Sequence, residues 1–150
     1  MKTRKNEQKE TVKEIPVYTL RIVSQLSGVP AHSIRQYIDK GLLLPFKLGS
    51  SRHLFSQGDI TRLRNINLLI QEKGLNFAGI RTMMSMLPCW RLKQCGKENQ
   101  AECSAAYDAF KPCWESSQKG RICRNENCRE CVVYRSMDDP FELKSALSSF

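Results

Sequence analysis

Seven cysteines fall between residues 89 and 131, and none precedes them. Their spacing is C-x5-C-x7-C-x9-C-x9-C-x4-C-x2-C, through Cys89, Cys95, Cys103, Cys113, Cys123, Cys128 and Cys131. A thiolate is a soft metal ligand and a nucleophile, so the chemistry on offer is ligation or redox exchange. The N-terminus MKTRKNEQKE lacks the apolar core of a signal peptide, and no apolar run approaches membrane-spanning length. The expected location is therefore the cytoplasm, whose reducing poise disfavours disulfides. An odd number of cysteines also fits poorly with a closed disulfide framework. Zinc favours paired C-x2-C knuckles, and only Cys128 and Cys131 form one. Cys123-x4-Cys128-x2-Cys131 instead matches the C-x4-C-x2-C part of plant-type [2Fe–2S] ligation, with a fourth cysteine elsewhere. All seven are candidate metal ligands. An iron–sulfur cluster stands ahead of zinc, and disulfides or free redox-active thiols stay open.

The segment that carries them needs such a link. Residues 88–134 hold Ile122, Val132, Val133, two tryptophans and the tyrosines, and few other large apolar side chains. A module that small cannot close a core on those alone. Structural zinc contributes about 10–16 kcal/mol in small modules, well beyond what this apolar set supplies. A phrase also repeats: Pro88-Cys89-Trp90 and Pro112-Cys113-Trp114, each followed by a cysteine and then a tyrosine, Cys103…Tyr107 and Cys131…Tyr134. With its terminal Val133-Tyr134, this pattern resembles the two-CW cysteine-rich domain of some bacterial signalling proteins.

A second set of residues points to a different chemistry. His32, Ser33, Arg35, Gln36 and Lys40 lie off the apolar stripe of a short helix, and Lys47, Arg52 and His53 flank a Gly-Ser turn. Outward Arg, Gln, Ser and His suit base edges and phosphates. The charge is segregated accordingly. The chain carries +9 in all; residues 1–88 hold 14 Lys and Arg against 6 Asp and Glu, and residues 89–150 hold 10 against 9. A basic surface confined to one half is what phosphate contact requires.

The elements that must position these residues follow in order. Leu20, Val23 and Leu26 recur at helical spacing, with Thr19 as cap and Gly28 as stop. After Gly28-Val29-Pro30, Ile34, Tyr37, Ile38 and Leu42 form a second stripe that Gly41 ends. Leu43–Leu48 and Arg52–Phe55 around Gly49-Ser50-Ser51 predict a small β-hairpin, a wing. Ser56-Gln57-Gly58-Asp59 starts a third helix with Ile60, Leu63, Ile66 and Ile70 inward, ending at Gly74. A fourth begins near Asn76, with Ile80, Met83, Met84 and Leu87 on one face, and Pro88 closes it. The methionines read as core filler.

Helix, turn, helix, wing and two further helices in this order resemble the DNA-binding domain of the MerR family over residues 16–87. The residues that carry the resemblance are Tyr18-Thr19, Gly28-Val29-Pro30, Ile34-Arg35-Gln36-Tyr37, Lys40-Gly41-Leu42-Leu43 with Pro45, Arg52…Phe55-Ser56…Asp59-Ile60, and Lys73-Gly74-Leu75…Ile80-Arg81. The resemblance implies that Arg35 and Tyr37 contact DNA from the second helix and Arg52 from the wing. It also implies double-stranded DNA as partner, RNA polymerase at a promoter, and a homodimer. Two local departures stand out: Gln36 sits where a second aromatic is common, and Gly49-Ser50-Ser51 replaces the usual Gly-aromatic-Arg wing. The larger departure follows Leu87. MerR regulators usually continue into a long coiled-coil helix, whereas here Pro88 and Cys89 arrive and no apolar heptad follows. Dimerisation would then use the cysteine region or Phe141–Phe150.

The expected fold is mainly α. It comprises a basic flexible tail over 1–14, a winged helix-turn-helix of four helices and a β-hairpin over 15–87, an irregular cysteine-rich module over 88–134, and a tail or short helix over 135–150. The expected function is a DNA-binding transcriptional regulator, not an enzyme, whose cysteines bind metal or a cluster, or sense redox state. Effector-driven repacking of the module against the fourth helix would change operator affinity. Two alternatives remain open: an excisionase-like recombination accessory, and a thiol–disulfide oxidoreductase at Cys128-x-x-Cys131. The latter expects a βαβ context that the sequence does not show. No paired-carboxylate motif or phosphate loop is present, and His32 and His53 stand apart from any nucleophile constellation.

Overall fold

The computed structural model describes residues 15–49 and 52–148. The expected leader, 1–14, and the centre of the wing turn, Ser50-Ser51, lie outside the described residues. The order is β1 (Tyr18–Thr19), α1 (Leu20–Ser27), α2 (Ala31–Asp39), β2 (Phe46–Leu48), β3 (Arg52–Phe55), α3 (Gln57–Gln71) and α4 (Phe77–Ser85). After these come α5 (Cys89–Leu92), α6 (Lys97–Ala101), α7 (Val132–Ser136) and α8 (Pro140–Leu147). Short 3-10 turns occur at Ser104–Ala106, Cys113–Glu115 and Cys128–Glu130. The mainly helical fold with a small wing sheet is as expected from the sequence.

The chain divides into two compact units, one ending at Asn67 and the other beginning at Leu68, so the division falls within α3. In the first, β2 and β3 pair antiparallel with Lys47 opposite His53 and Leu48 opposite Arg52. The sheet has a third strand that the hairpin pattern did not announce. β1 pairs antiparallel with β3, Tyr18 opposite Phe55 and Thr19 opposite Leu54, so the wing is tied to the start of α1.

Local signals explain most of the boundaries. Thr19 caps α1 by accepting from the Ile22 amide at 3.4 Å, and Gly28 ends it in the left-handed conformation at φ 74°. The turn is pinned from both sides, because Ser24 Oγ donates to the Val29 carbonyl at 2.7 Å and the Val29 amide donates to Ser27 Oγ at 3.2 Å. At α3 the Ser56 amide donates to Asp59 Oδ2 at 2.8 Å while the Asp59 amide donates to Ser56 Oγ at 3.2 Å. This is the reciprocal capping box that S-x-x-D predicts. Asn76 caps α4 through the Gly79 amide at 2.8 Å.

The core of the first unit is Val23, Val29, Ile34, Tyr37, Leu42, Leu43, Phe55, Ile60, Leu63 and Ile66. Leu26, read as part of the inward stripe, is exposed instead; Val23 is the buried residue of α1. An eight-residue helix offers little more than two turns, so only one face position is fully covered. Arg62 is fully buried, and its Nε donates to the Leu42 carbonyl at 2.7 Å, just past the end of α2. That bond satisfies the carbonyl of a buried residue in the segment after α2 and holds that segment against α3.

In the second unit, Ile80, Met84 and Leu87 of α4 and its extension are buried, as the stripe predicts, while Met83 is exposed. Trp114, Val133, Tyr134 and Met137 form the rest of the apolar interior with Cys103 and Ala105. Trp114 meets Tyr134 edge to face at 5.0 Å, and the Arg135 guanidinium lies 4.9 Å over the Tyr134 ring. Among the described residues this unit has no strand. Among the described residues, no helix is long and apolar enough to cross a membrane.

Candidate nucleic-acid interface and cysteine cavity

On α2, the 3.6-residue period turns Ile34 and Tyr37 inward and leaves His32, Arg35, Gln36 and, just past the helix, Lys40 exposed, with Ser33 half-buried. On the wing, Lys47 and Arg52 are exposed and His53 is half-buried. Tyr37 requires a correction. Expected as a DNA contact, it is 3% exposed, and burial pushes its phenol above the ordinary tyrosine range. It lies three residues after Ile34, on the covered stripe, so its ring serves the core rather than the outward face.

The outward residues do not all converge. Arg35, Arg52 and His53 line one open groove of about 590 Å³, together with Thr19, Leu20, Ile38 and Asp39. Arg21 of α1 lines it as well, and the sequence reading missed this residue. Its signal was its position two residues after the Thr19 cap, off the Leu20–Val23 stripe. The pairing of β1 with β3 puts the start of α1 beside the wing strand. Three guanidinium groups from α1, α2 and β3 thus face one concavity, tempered by the Asp39 carboxylate. Such an array takes phosphates and guanine edges bidentately. His32, Ser33, Gln36, Lys40 and Lys47 do not line this groove.

The second site is a cavity of about 40 Å³, and all seven cysteines line it. All seven are free thiols. Each Pro-Cys-Trp phrase opens a helical turn: Pro88 stands before α5 and Pro112 before the Cys113–Glu115 turn, and both tryptophans line the cavity. The repeat is therefore one local device used twice. Gly120 makes the close approach that links the halves. A Cβ there would lie 2.8 Å from the Asn99 carbonyl oxygen, and Asn99 in turn accepts from the Ile122 amide at 3.2 Å.

Burial in the cavity holds back thiolate formation at Cys89, Cys113 and Cys123. Burial pushes the Cys113 thiol up to about 12, and the Cys89, Cys131, Cys128 and Cys123 sulfurs add to the shift. Burial likewise lifts Cys123 to about 11, although Lys93 opposes the rise. Cys89 is raised by burial, then by Cys103 and Cys95. Two lysines that the sequence reading did not single out stand at the wall. Lys119 Nζ donates to Cys128 Sγ at 3.1 Å. Lys93 pairs with Glu126; burial works against its charge, but Glu126 and the Cys131 and Cys123 sulfurs hold its ammonium above the ordinary lysine range. Among the described residues, no three His, Cys, Asp or Glu side chains are arranged to hold a single metal ion. The cysteines share one space without converging on one point.

Residues 18–87 match the model of the MerR HTH family regulatory protein. The heat shock protein HspR of Streptomyces coelicolor is 34% identical over 77 residues, covering 51% of each chain. The HTH-type transcriptional regulators GlnR of Bacillus anthracis and Bacillus cereus are 34% identical over 94 residues, covering 63% of this chain and 64% of theirs. The chain thus spans about half to two thirds of the length of the curated relatives it matches.

Proposed function

We propose, from the match of residues 18–87 to the MerR HTH family regulatory protein, that the chain is a cytoplasmic, non-enzymatic transcriptional regulator that binds double-stranded DNA. The observation that carries the reading is the single groove lined by Arg21, Arg35 and Arg52 with His53, on the surface that the α2 outward face and the wing share. Arg35 enters the major groove from α2, Arg52 and Lys47 hold the backbone from the wing, and Arg21 takes an adjacent phosphate. The regulator names of the relatives support the same class. RNA polymerase at a promoter and a second copy of the chain complete the proposed partners.

The cysteine module is the effector site in this reading, holding an iron–sulfur cluster or zinc, or responding to thiol oxidation. What supports it is that all seven thiols face one cavity in the unit that also contains α4. Arg81 of α4 pairs bidentately with Glu115, next to Trp114, at 2.6 and 3.3 Å. A change in the module therefore reaches the last helix of the family domain through a direct ion pair. An oxidoreductase reading has no comparable support, because Cys128 lies in a 3-10 turn of a unit without described strands.

The test is DNA affinity against salt concentration, using duplexes selected from a random pool, for the full chain and for Arg35→Ala. The logarithm of affinity should fall linearly with the logarithm of salt. Arg35→Ala should weaken the selected duplex by roughly 5- to 150-fold, the equivalent of one bidentate contact. Salt-independent binding, or an unaltered variant, would overturn the reading.

A further inference from the structure

The seven cysteines outnumber the four that one zinc takes. Sulfurs on a single tetrahedral zinc lie about 2.3 Å from one centre, hence within about 4 Å of each other. Among the described residues, no group of three or more His, Cys, Asp or Glu side chains is placed to hold one metal ion. Ligands of a polynuclear cluster bind different metal atoms, so their sulfurs stand farther apart while facing a common space. The walls suit such a group. Trp90, Trp114, Val133 and Tyr134 make the cavity apolar, which excludes water from bridging sulfides. Thiolates and sulfides leave a cluster anionic, and Lys119 and Lys93, the latter paired with Glu126, line the same wall. One of them already donates to a cysteine sulfur, Cys128 Sγ, at 3.1 Å.

We propose that this cavity holds one polynuclear iron–sulfur cluster, ligated by thiolates from both Pro-Cys-Trp halves with Cys113 among them, and that Lys119 tunes it by donating to the Cys128 sulfur. The proposal rests on the module being the effector site. Lys119 is a positioning residue: it touches the cluster's sulfur shell rather than iron. A hydrogen bond to sulfur and a nearby positive charge both raise a cluster's reduction potential.

The experiment uses the full chain, expressed with added iron and purified under nitrogen. Iron, zinc and acid-labile sulfide are counted, and the visible spectrum is followed through a potentiometric titration. Wild type should carry at least two irons per chain with an equal count of sulfide, and a visible band that bleaches on reduction. Cys113→Ser should lose at least half of both. Lys119→Met should keep iron and sulfide while its potential moves lower, and Lys119→Arg should return it toward wild type. This pair keeps the test decisive if Cys113→Ser misfolds. A single zinc without sulfide overturns the proposal, and so does a folded, metal-free protein after incubation with iron, sulfide and a thiol reductant. An unmoved potential in Lys119→Met overturns the role of that lysine. Duplex binding by the same preparations separates the two readings. Binding without a cluster sinks this proposal alone, whereas a cluster without salt-dependent DNA binding sinks the regulator reading.

Discussion

Arg21, Arg35 and Arg52 come from three elements separated along the chain, yet they face one groove. Each is worth a separable contact if the groove lies on DNA. Arg21→Ala should weaken binding about equally for all duplexes and lower the salt slope by about 1, because a phosphate contact carries no sequence information. Sequence-selective loss in that variant would instead move Arg21 to the base edges. Tyr37 makes the opposite case. Its phenol is buried and harder to ionise than the ordinary value of 10.0. The unfolded chain therefore releases that proton at lower pH than the fold does. The fold's stability is fully present below pH 10 and falls as pH rises through the higher folded value. Tyr37→Phe should flatten this alkaline loss, read as urea midpoints across the pH series, and should leave duplex affinity close to wild type. A large loss of affinity in a well-folded Tyr37→Phe would return the ring to the interface.

Among the elements, the wing and the cysteine module each carry a close long-range tie. β1 contributes two residues, and they attach the wing strand to the first helix of the helix-turn-helix. Pairing across so short a strand matters because it sets Arg52 and His53 beside Arg21. In the module, one such tie is the approach of Gly120 to Asn99. Its neighbours there include a backbone carbonyl that cannot swing away, so Gly120→Ala should cost about 1–3 kcal/mol of unfolding free energy. Denaturant midpoints monitored by tryptophan fluorescence read this directly, since both tryptophans line the cavity. A neutral Gly120→Ala would mean that the loop relaxes without strain.

For the molecule as a whole, the family segment ends at residue 87 while the compact unit bearing the cysteines begins at Leu68. The last helix of the matched segment thus lies in the same compact unit as the cysteines. Arg81 and Glu115 link the two, and their side chains are 26% and 22% exposed. A partly exposed bidentate pair should show a coupling of about 0.5–1 kcal/mol in a double-mutant cycle of Arg81→Gln and Glu115→Gln. If coupling is absent, the ion pair is incidental, and any signal to α4 travels through packing alone.

What the sequence determined by itself was local. The left-handed glycines at 28 and 41, the Ser56/Asp59 capping box, the Asn76 cap and the wing hairpin each depend on interactions spanning a few residues, so residue types at short spacing suffice to specify them. The outward placement of Arg35 followed from the same short period. Tertiary structure alone decided that Tyr37 is core, that β1 joins the wing, that Arg21 shares the groove, and that thiols from Cys89 to Cys131 surround one cavity with two lysines at its wall. The physical reason is that periodicity names the faces of an element but not what covers each face. That depends on contacts between residues far apart in the chain, and no local pattern records them.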